Sequence, residues 1–199
     1  ADFTYGYNGI YELESVSGAN THSYDYDNVG NRLTADGVTY VPNNLNQYTQ
    51  VGSDTLTYDG NGNLTNDGFN TYTYDEENRL VTVTGPQGVS SYEYDAFNRR
   101  VSKTVDGITT YFVYDGAEDI AEYDSTGTLQ AEYVYGSRLD EVLMMSRGGQ
   151  LYYYFCDILG SVVALSDAQG NIIESYGYDA YGNPTTTSSV GNPFMFTGR

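Results

Sequence analysis

The sequence predicts an all-β protein, a spiralling array of antiparallel β-hairpins with almost no helix. Three observations support this fold class: a composition rich in Tyr and Gly, a short phrase that recurs along the chain, and turn dipeptides between its copies. The 199 residues include 23 Tyr and 23 Gly. Tyr favours strands and Gly favours tight turns. Since no stretch of ten residues has a convincing 3.6-residue apolar period, helices are not expected.

The recurring phrase is an aromatic residue, any residue, Tyr and Asp, followed within a few positions by Asn and Arg. The three clear copies contain Tyr24, Tyr26, Asp27 and Arg32; Tyr72, Tyr74, Asp75 and Arg79; and Tyr92, Tyr94, Asp95 and Arg99. Degenerate copies continue to Tyr178 and Asp179. The Asp-equivalent positions are 16 to 22 residues apart. This period fits two short strands and two turns, and is too short for a helical hairpin of about 34 residues.

The dipeptides between these phrases predict tight hairpin turns. Asp36-Gly37, Asp67-Gly68 and Asp106-Gly107 each stand between strand-like segments. A two-residue hairpin turn of this type requires a positive φ at both central residues, which Asp-Gly tolerates. Residues 101–114 show the pattern clearly, because apolar residues alternate on both sides of Asp106-Gly107.

The two aromatic residues of a phrase are predicted to share one face of the sheet. Residues two apart in a strand project from the same side, as Tyr72 and Tyr74 would. Rings on neighbouring hairpins would then form ladders of cross-strand contacts, and the tyrosines would be structural. A Tyr-rich sugar-binding face has the same composition and remains the alternative.

The Asp of each phrase is predicted to accept backbone hydrogen bonds in an Asx-type turn. The Arg that follows is expected to form an ion pair with the Asp of its own or a neighbouring repeat. A weaker interpretation is calcium, because Asp59, Asn61 and Asn63 place oxygen atoms at alternate positions, as an EF-hand loop does. The twelfth position of that loop is Asn70 instead of the bidentate Glu.

Charge and composition exclude several classes of function. There are 27 acidic and 8 basic residues, a net charge of -19, so a nucleic-acid surface is not expected. No apolar run approaches the roughly 18 residues of a spanning helix, so membrane insertion is not expected. Cys156 and His22 are single residues of their kinds, too few for a disulfide or a usual zinc site. No cofactor and no catalytic residue is predicted, so the chain is not expected to be an enzyme.

These phrases resemble the Tyr-Asp (YD) repeats of the RHS, or rearrangement hotspot, family and of its relatives in insecticidal toxin complexes and teneurins. The C-terminal third resembles the RHS core, through Tyr152 to Tyr154, Asp157 and Gly160, Tyr178 and Asp179, and the closing residues 192–199. The resemblance implies one array over residues 1–199, with YD hairpins in 1–123 and core-like repeats in 124–199. It also implies a secreted, extracellular or cell-surface protein, a segment of a hollow shell that encloses or presents a toxin.

The expected partners follow from the open edges of such an array. Terminal strands expose unpaired backbone groups that template further pairing, and no obvious capping repeat stands at either terminus. We therefore expect pairing with other copies of the chain, as in a filament, or with further RHS repeats. An enclosed toxin domain would belong to a longer natural protein. The alternative function is an adhesin that binds glycans.

Overall fold

The fold is that of a computed structural model, which describes residues 3–18, 21–138 and 140–198. These residues form the following strands: β1 (Thr4–Tyr7), β2 (Leu13–Ser17), β3 (His22–Tyr26), β4 (Arg32–Ala35), β5 (Val38–Pro42), β6 (Tyr48–Val51), β7 (Asp54–Thr55), β8 (Thr57–Tyr58), β9 (Leu64–Asn66), β10 (Thr71–Tyr74), β11 (Leu80–Gly85), β12 (Gly88–Tyr94), β13 (Arg100–Val105), β14 (Ile108–Asp115), β15 (Glu118–Asp124), β16 (Leu129–Tyr135), β17 (Val142–Arg147), β18 (Gln150–Cys156), β19 (Val162–Ser166) and β20 (Ile172–Ser175). A short 3₁₀ turn, Phe196–Gly198, follows.

The strands pair in chain order. Strands β1 to β7 form a seven-stranded sheet, and β8 to β20 form a thirteen-stranded sheet. The described pairings are antiparallel, for example β14 with β15 and β17 with β18. The predicted all-β class and the antiparallel hairpin array are therefore confirmed.

The chain divides into two compact units, residues 1–91 and 92–199. The division falls inside β12. The predicted boundary between residues 123 and 124 separates two types of repeat and not two compact units, and it stays a prediction.

Two of the three Asp-Gly dipeptides form the predicted turns. Asp36 and Gly37 have φ of 50° and 82°, and Asp106 and Gly107 have 49° and 84°. The prediction was wrong for Asp67-Gly68, where residues 67–70 form a wider connection between β9 and β10. The wider connection forms because the Asp67 carboxylate accepts hydrogen bonds from the backbone of Phe69 and Asn70 and so stabilises a longer turn.

A β-bulge recurs at the second aromatic residue of the phrase. The register of the antiparallel pairing shifts at Tyr7, Tyr26, Tyr58, Tyr74, Tyr114 and Tyr135. A bulge interrupts the ladder and redirects the side chain next to it. The Tyr before each Asp therefore lies where the hairpin ends and its loop begins.

The apolar core is concentrated in the second unit. One cluster contains Val142, Val162, Leu165 and Tyr176, and the other Ala131, Tyr133 and Met145. Residues 184–198, which we call the C-terminal strap, cover both clusters through Val190 and Phe194. The Phe194 ring is 4.9 Å from that of Tyr133 and 6.1 Å from that of Tyr154. In the described part of the first unit, Val16 is the one buried apolar residue.

Candidate functional site

The most regular feature is a five-residue loop that begins with Asp or Asn. In the described residues, such loops begin at Asn8, Asp27, Asn43, Asp59, Asp75, Asp95, Asp124, Asp157, Asp167 and Asp179. The N–H of the first residue donates to the carbonyl of the fifth, and the N–H of the fourth donates to the carbonyl of the first. The Oδ1 atom of the first residue accepts from the third and fifth N–H groups. In the Asp59 loop these distances are 2.9 and 2.8 Å.

The fourth position of the loop has a left-handed backbone. It is occupied by Gly30, Gly62, Gly127, Gly160, Gly170 and Gly182, by Asn46, Asn78 and Asn98, and by Tyr11, all with positive φ. Gly and Asn adopt this conformation at the lowest cost. The spacing Asp-x-x-Gly or Asp-x-x-Asn is the signal that identifies every loop except the two that start at Asn8 and Asn43. It also identifies the Asp124 and Asp167 loops, which the Tyr-Asp phrase alone missed.

The first and fifth side chains of a loop are complementary. Where the first is Asp, an Asn or Arg at the fifth position donates to it, as Asn63 Nδ2 does to Asp59 Oδ2 at 2.9 Å. Where the first is Asn, the fifth is an acceptor, and Asn8 Nδ2 donates to Glu12 Oε2 at 2.6 Å. Asn43 and Gln47 form the same reversed pair. Both arrangements close the loop with one additional hydrogen bond.

Two of the motif arginines form ion pairs inside their own loop. Arg79 Nε and Arg99 Nη2 each lie 2.7 Å from Oδ2 of Asp75 and Asp95, respectively. The hydrogen bond from the Arg79 backbone is the main cause that lowers the pKa of Asp75. Arg32 comes one position later, after Asn31, and its guanidinium lies 4.5 Å from the ring centroid of Tyr40.

The loops are also tied to one another. Asn31 Nδ2 donates to Asn46 Oδ1 at 3.0 Å, and Asn63 Nδ2 donates to Asn78 Oδ1 at 2.8 Å. In the second unit, Arg99 Nη1 donates to the carbonyl of Gly116 at 2.8 Å. The fifth residue of a loop therefore holds its own first residue and the loop of the next hairpin.

The second tyrosine of the phrase connects its strand to an earlier strand. Its hydroxyl donates to a backbone carbonyl at or next to the start of that earlier strand. These contacts join Tyr58 to Tyr48, Tyr74 to Leu64, Tyr114 to Arg100, Tyr135 to Asp119 and Tyr178 to Val162, at 2.6 to 3.0 Å. Burial raises the pKa of Tyr178 to about 12. Sequence reasoning missed this role, because the accepting carbonyl is set by the hairpin geometry.

The six tyrosines of the clear phrases are all half-buried: Tyr24, Tyr26, Tyr72, Tyr74, Tyr92 and Tyr94. The residue between each pair is exposed, so the members of a pair share one face as the alternation predicts. Rings meet directly at Tyr40 and Tyr48, with centroids 5.3 Å apart. Elsewhere arginines lie against the rings, as Arg100 does over Phe112 at 4.8 Å. The aromatic face is thus a mixture of rings and guanidinium groups.

A buried charged network lies on strands β15, β16 and β17. Tyr133 donates to Glu122 Oε1 at 2.6 Å, and Arg147 Nη2 donates to Glu122 Oε2 at 2.6 Å and to the Tyr133 hydroxyl at 2.9 Å. Burial, followed by the hydrogen bond to Glu122, raises the pKa of Tyr133. The three side chains thus pair with one another, although Nε of Arg147 has no hydrogen-bond partner in the described residues.

The remaining candidate groups from the sequence are the weak calcium candidate, Cys156 and His22. The Asp59 carboxylate accepts from the Asn61 and Asn63 backbones, and no group of three His, Cys, Asp or Glu residues in the described chain could hold a metal ion. The weak calcium interpretation of Asp59, Asn61 and Asn63 stays a prediction. Burial raises the pKa of the Cys156 thiol, which disfavours a reactive thiolate. His22 Nδ1 lies 2.7 Å from Asp36 Oδ2.

The fold and the loops define a repeat protein of consecutive β-hairpins fastened by a Tyr-Asp phrase. The family model described as Teneurin YD-shell matches residues 1–197, and the chain belongs to this family. The tRNA3(Ser)-specific nuclease WapA of Bacillus spizizenii is 35% identical over 179 residues, which cover 83% of this chain and 8% of that protein. The tRNA nuclease WapA of Bacillus subtilis (strain 168) is 34% identical with the same coverage. The chain thus spans less than a tenth of these relatives.

Solved structures show the same fold at lower identity. The crystal structure of TcdB2-TccC3-Cdc42 matches with a TM-score of 0.69 and 18% identity, covering 92% of this chain and 12% of the matched chain. TcdB2-TccC3 without its hypervariable C-terminal region matches with a TM-score of 0.56 and 17% identity over the same shares. Among the described residues, we find no helix with the length and hydrophobicity of a membrane span.

Proposed function

We propose that this chain is a non-enzymatic structural segment of a hollow RHS-type β-shell, or a subunit of a larger β-assembly, that encloses or presents a toxin. The observation that carries the proposal is the use of the repeated side chains. The first and fifth residues of each loop bind the loop itself, as Asp95 and Arg99 do. The hydroxyl of the second tyrosine of the phrase binds the backbone of an earlier strand, as Tyr114 binds Arg100. The repeated side chains therefore hold the loops and strands of the array together.

The proposed assembly uses the terminal strands. Strand β1 is the first strand of its sheet and β20 the last of the other. Unpaired strand edges accept further strands, either from another copy or from further repeats of a longer protein. Because such a contact is heterologous, repeated copies would form rings or filaments. Negative-stain microscopy and light scattering of the purified protein should show particles larger than the 22.0 kDa chain. A monomer at every concentration would contradict the assembly.

We propose that the nuclease activity named in the WapA relatives belongs to a part of those proteins that this chain does not match. The supporting observation is the charge of -19, which repels RNA phosphates. The purified chain incubated with bulk tRNA should leave the tRNA intact at the rate of a buffer control. Cleavage that copurifies with the protein and is abolished by His22→Ala would contradict the non-enzymatic proposal.

An extracellular or cell-surface location and a toxin partner complete the proposal. The 35% identity to a WapA protein named as a nuclease supports a role beside a toxic domain. Fractionation of cells that express the natural full-length protein, followed by immunoblotting for this segment, tests the location. Signal confined to the cytoplasm would contradict it.

Glycan binding is the second candidate, and it is favoured by exposed rings. Tyr111 and Tyr153 are 45% and 38% exposed. A glycan array probed with the protein and with the double variant Tyr111→Ala, Tyr153→Ala separates the two functions. Binding that the double variant loses would favour the adhesin.

A further inference from the structure

Large apolar side chains recur at the third position of the five-residue loops. In most of the described loops the third residue is apolar or aromatic, and these side chains are between 45 and 80% exposed. They are Ile10, Val29, Leu45, Phe97, Leu159 and Tyr181. Single exposed apolar residues are normal on a protein surface, but their recurrence at one fixed position indicates an interface.

The loop itself does not require an apolar third residue. The third residue holds the loop through its backbone N–H, as Val29 does by donating to Asp27 Oδ1 at 2.9 Å. Thr126 and Gln169 occupy the same position in two other loops and donate the same hydrogen bond. The loop conformation therefore does not explain the apolar side chains.

The polar and apolar third residues lie on opposite rims of the array, where a rim is the row of connections at one end of the strands. Consecutive connections of antiparallel strands alternate between the two rims. In the second unit, Phe97 between β12 and β13 and Leu159 between β18 and β19 lie on one rim. Thr126 between β15 and β16 and Gln169 between β19 and β20 lie on the other. The apolar side chains thus distinguish one rim from the other.

Three apolar third residues stand in consecutive loops on one rim of the first unit. Ile10 lies between β1 and β2, Val29 between β3 and β4, and Leu45 between β5 and β6. Because neighbouring loops are two strands apart, these side chains recur at intervals of roughly 10 Å. Asn31 Nδ2 donates to Asn46 Oδ1, which holds the second and third loops together. We call Ile10, Val29 and Leu45 the apolar rim.

The apolar rim is uncharged in a strongly acidic protein. The residues that precede its three members are Gly9, Asn28 and Asn44, so the second and third positions of these loops carry no charge, although the net charge of the chain is -19. A charged partner would find no opposite charge at these positions. Copies of the chain, in contrast, repel each other less where they meet through uncharged side chains.

We propose that the apolar rim docks against the same rim of a second copy of this chain. The inference rests on the proposed assembly of copies and adds a surface to it. A second copy presents the same side chains at the same interval of roughly 10 Å, so it matches the rim in spacing and in polarity. In a two-fold symmetric contact, Ile10 of each copy faces Leu45 of the other, and the two Val29 side chains lie near the symmetry axis.

The first test is sedimentation equilibrium of the full chain at 0.5 M NaCl, where charge repulsion is screened. The triple variant Ile10→Thr, Val29→Thr, Leu45→Thr places at each position a residue type that another loop of this chain uses there. It should raise the dissociation constant of self-association at least tenfold, because it removes the apolar contact and retains the loops.

The matched control is the triple variant Val38→Thr, Val41→Thr, Phe69→Thr. It also removes three exposed apolar side chains of the first unit, all outside the apolar rim. It should change the dissociation constant less than twofold. Equal effects of the two triple variants, or a monomer at every concentration of the unaltered protein, would overturn the proposal.

Tyr5→Lys on β1 separates docking of the rim from strand addition at the sheet edge. If Tyr5→Lys abolishes association and the rim variant leaves it unchanged, copies join through β1, which overturns the rim proposal and leaves the proposed assembly intact. If the rim variant weakens association and Tyr5→Lys does not, the rim proposal is supported. A monomer at every concentration contradicts both.

Disulfide cross-linking tests the contact in a protein that retains Ile10 and Leu45. In a Cys156→Ser background, which lacks the native cysteine, Val29→Cys should form covalent dimers on oxidation, seen by non-reducing electrophoresis. A disulfide requires Cα atoms within about 7 Å of each other, so its formation reports the closeness of the two Val29 positions. Val41→Cys in the same background should remain monomeric. No dimer with Val29→Cys, or equal dimer formation by both variants, would overturn the proposal.

Discussion

A single side chain organises each loop. The first residue places one oxygen where two backbone N–H groups converge, so it replaces the ladder hydrogen bonds that the strands lose at the turn. In the Asp124 loop, Oδ1 accepts from the backbone of Thr126 and Thr128, both at 2.9 Å. The fourth residue must then adopt a left-handed backbone, and Gly127 does so with φ of 81°.

Gly127→Ala should therefore destabilise the protein by about 1 kcal/mol, because an L residue with a Cβ is strained in this conformation. No atom lies within 4 Å of the position of the added Cβ, so the effect would report backbone strain and not a clash. Gly127→Asn is the matched control, since Asn occupies the same position in three other loops. Urea unfolding should show that Gly127→Asn lowers the free energy of unfolding by less than half as much as Gly127→Ala does. Equal losses for Ala and Asn would contradict this account.

The tyrosine hydroxyls give a second prediction at the residue scale. Tyr114→Phe removes the donor that binds the carbonyl of Arg100 at 2.9 Å and leaves that carbonyl without this partner. The expected loss is about 1 to 2 kcal/mol in the free energy of unfolding. Tyr111→Phe on the same strand is the control, because Tyr111 is 45% exposed, and its change should be within about 0.5 kcal/mol. Similar losses for both variants would show that the hydroxyl contact has no special role.

The local parts of this design could be read from the sequence, and the non-local parts could not. The Asp acceptor and the Asp36-Gly37 turn depend on residues within four positions, so composition and spacing predict them. The Asp67 turn was mispredicted because the rule for Asp-Gly considers only the backbone conformation of the two residues. The Asp67 side chain accepts a hydrogen bond from the Phe69 backbone and so stabilises a longer connection. The target of Tyr114 and the partner of Glu122 depend on strand register, which a bulge shifts by one residue.

At the scale of the element, one carboxylate accepts several of the hydrogen bonds that hold the C-terminal strap. Glu174 on β20 accepts from the Ser188 and Ser189 hydroxyls at 2.8 and 2.6 Å, from the backbone N–H of Ser189 and Val190, and from the Tyr176 hydroxyl. Burial alone would raise its pKa, but the hydrogen bonds outweigh burial and lower the pKa to about 2. The strap therefore depends on an ionised Glu174.

This pKa predicts acid weakening of the strap. The pKa in the folded state is below the value of 4.5 expected for the unfolded chain, so the contribution is complete above about pH 4.5 and is lost as the pH falls toward 2. Urea unfolding between pH 2 and 6 should show that the difference between the unaltered protein and Glu174→Gln shrinks with acid. Glu132→Gln, an exposed change on β16, is the control. A difference that does not vary with pH would contradict the prediction.

The pH dependence of stability expected from Asp119 on β15 has the opposite sign to that expected from Glu174. Its pKa is raised from 3.8 to about 7 in the folded state, so the folded state holds a proton that the unfolded chain releases. The free energy of unfolding should fall as the pH rises from about 4 to about 7 and change no further through this group. Asp119→Asn removes the dependence, and its stability relative to the unaltered protein should rise over the same interval. Urea unfolding at pH 4 to 8 measures the two free energies of unfolding. If the stability of Asp119→Asn relative to the unaltered protein falls as the pH rises, the raised pKa of Asp119 is contradicted.

At the scale of the whole molecule, the open strand edges favour association between copies and the net charge opposes it. Within each of the two sheets the described strands pair in chain order, so the outer strands β1 and β20 can accept another strand. The charge of -19 opposes the approach of a second copy. A protein with open edges can thus remain dispersed at low ionic strength and assemble when its charges are screened.

Self-association should therefore increase with salt. The Debye length falls from about 30 Å at 0.01 M to about 10 Å at 0.1 M and about 3 Å at 1 M ionic strength, so the mass-average size measured by light scattering should rise over this range. Tyr5→Lys places a charge on the terminal strand β1 and should suppress the rise, because a lysine on an edge disfavours strand addition. Val41→Lys is the matched control, since Val41 is similarly exposed, lies on the internal strand β5 and changes the charge equally. A lysine makes the net charge of -19 less negative, so by net charge alone both variants should associate more readily. Equal suppression by both lysines would show that the β1 edge has no special role, and suppression by neither would show that assembly proceeds through another surface.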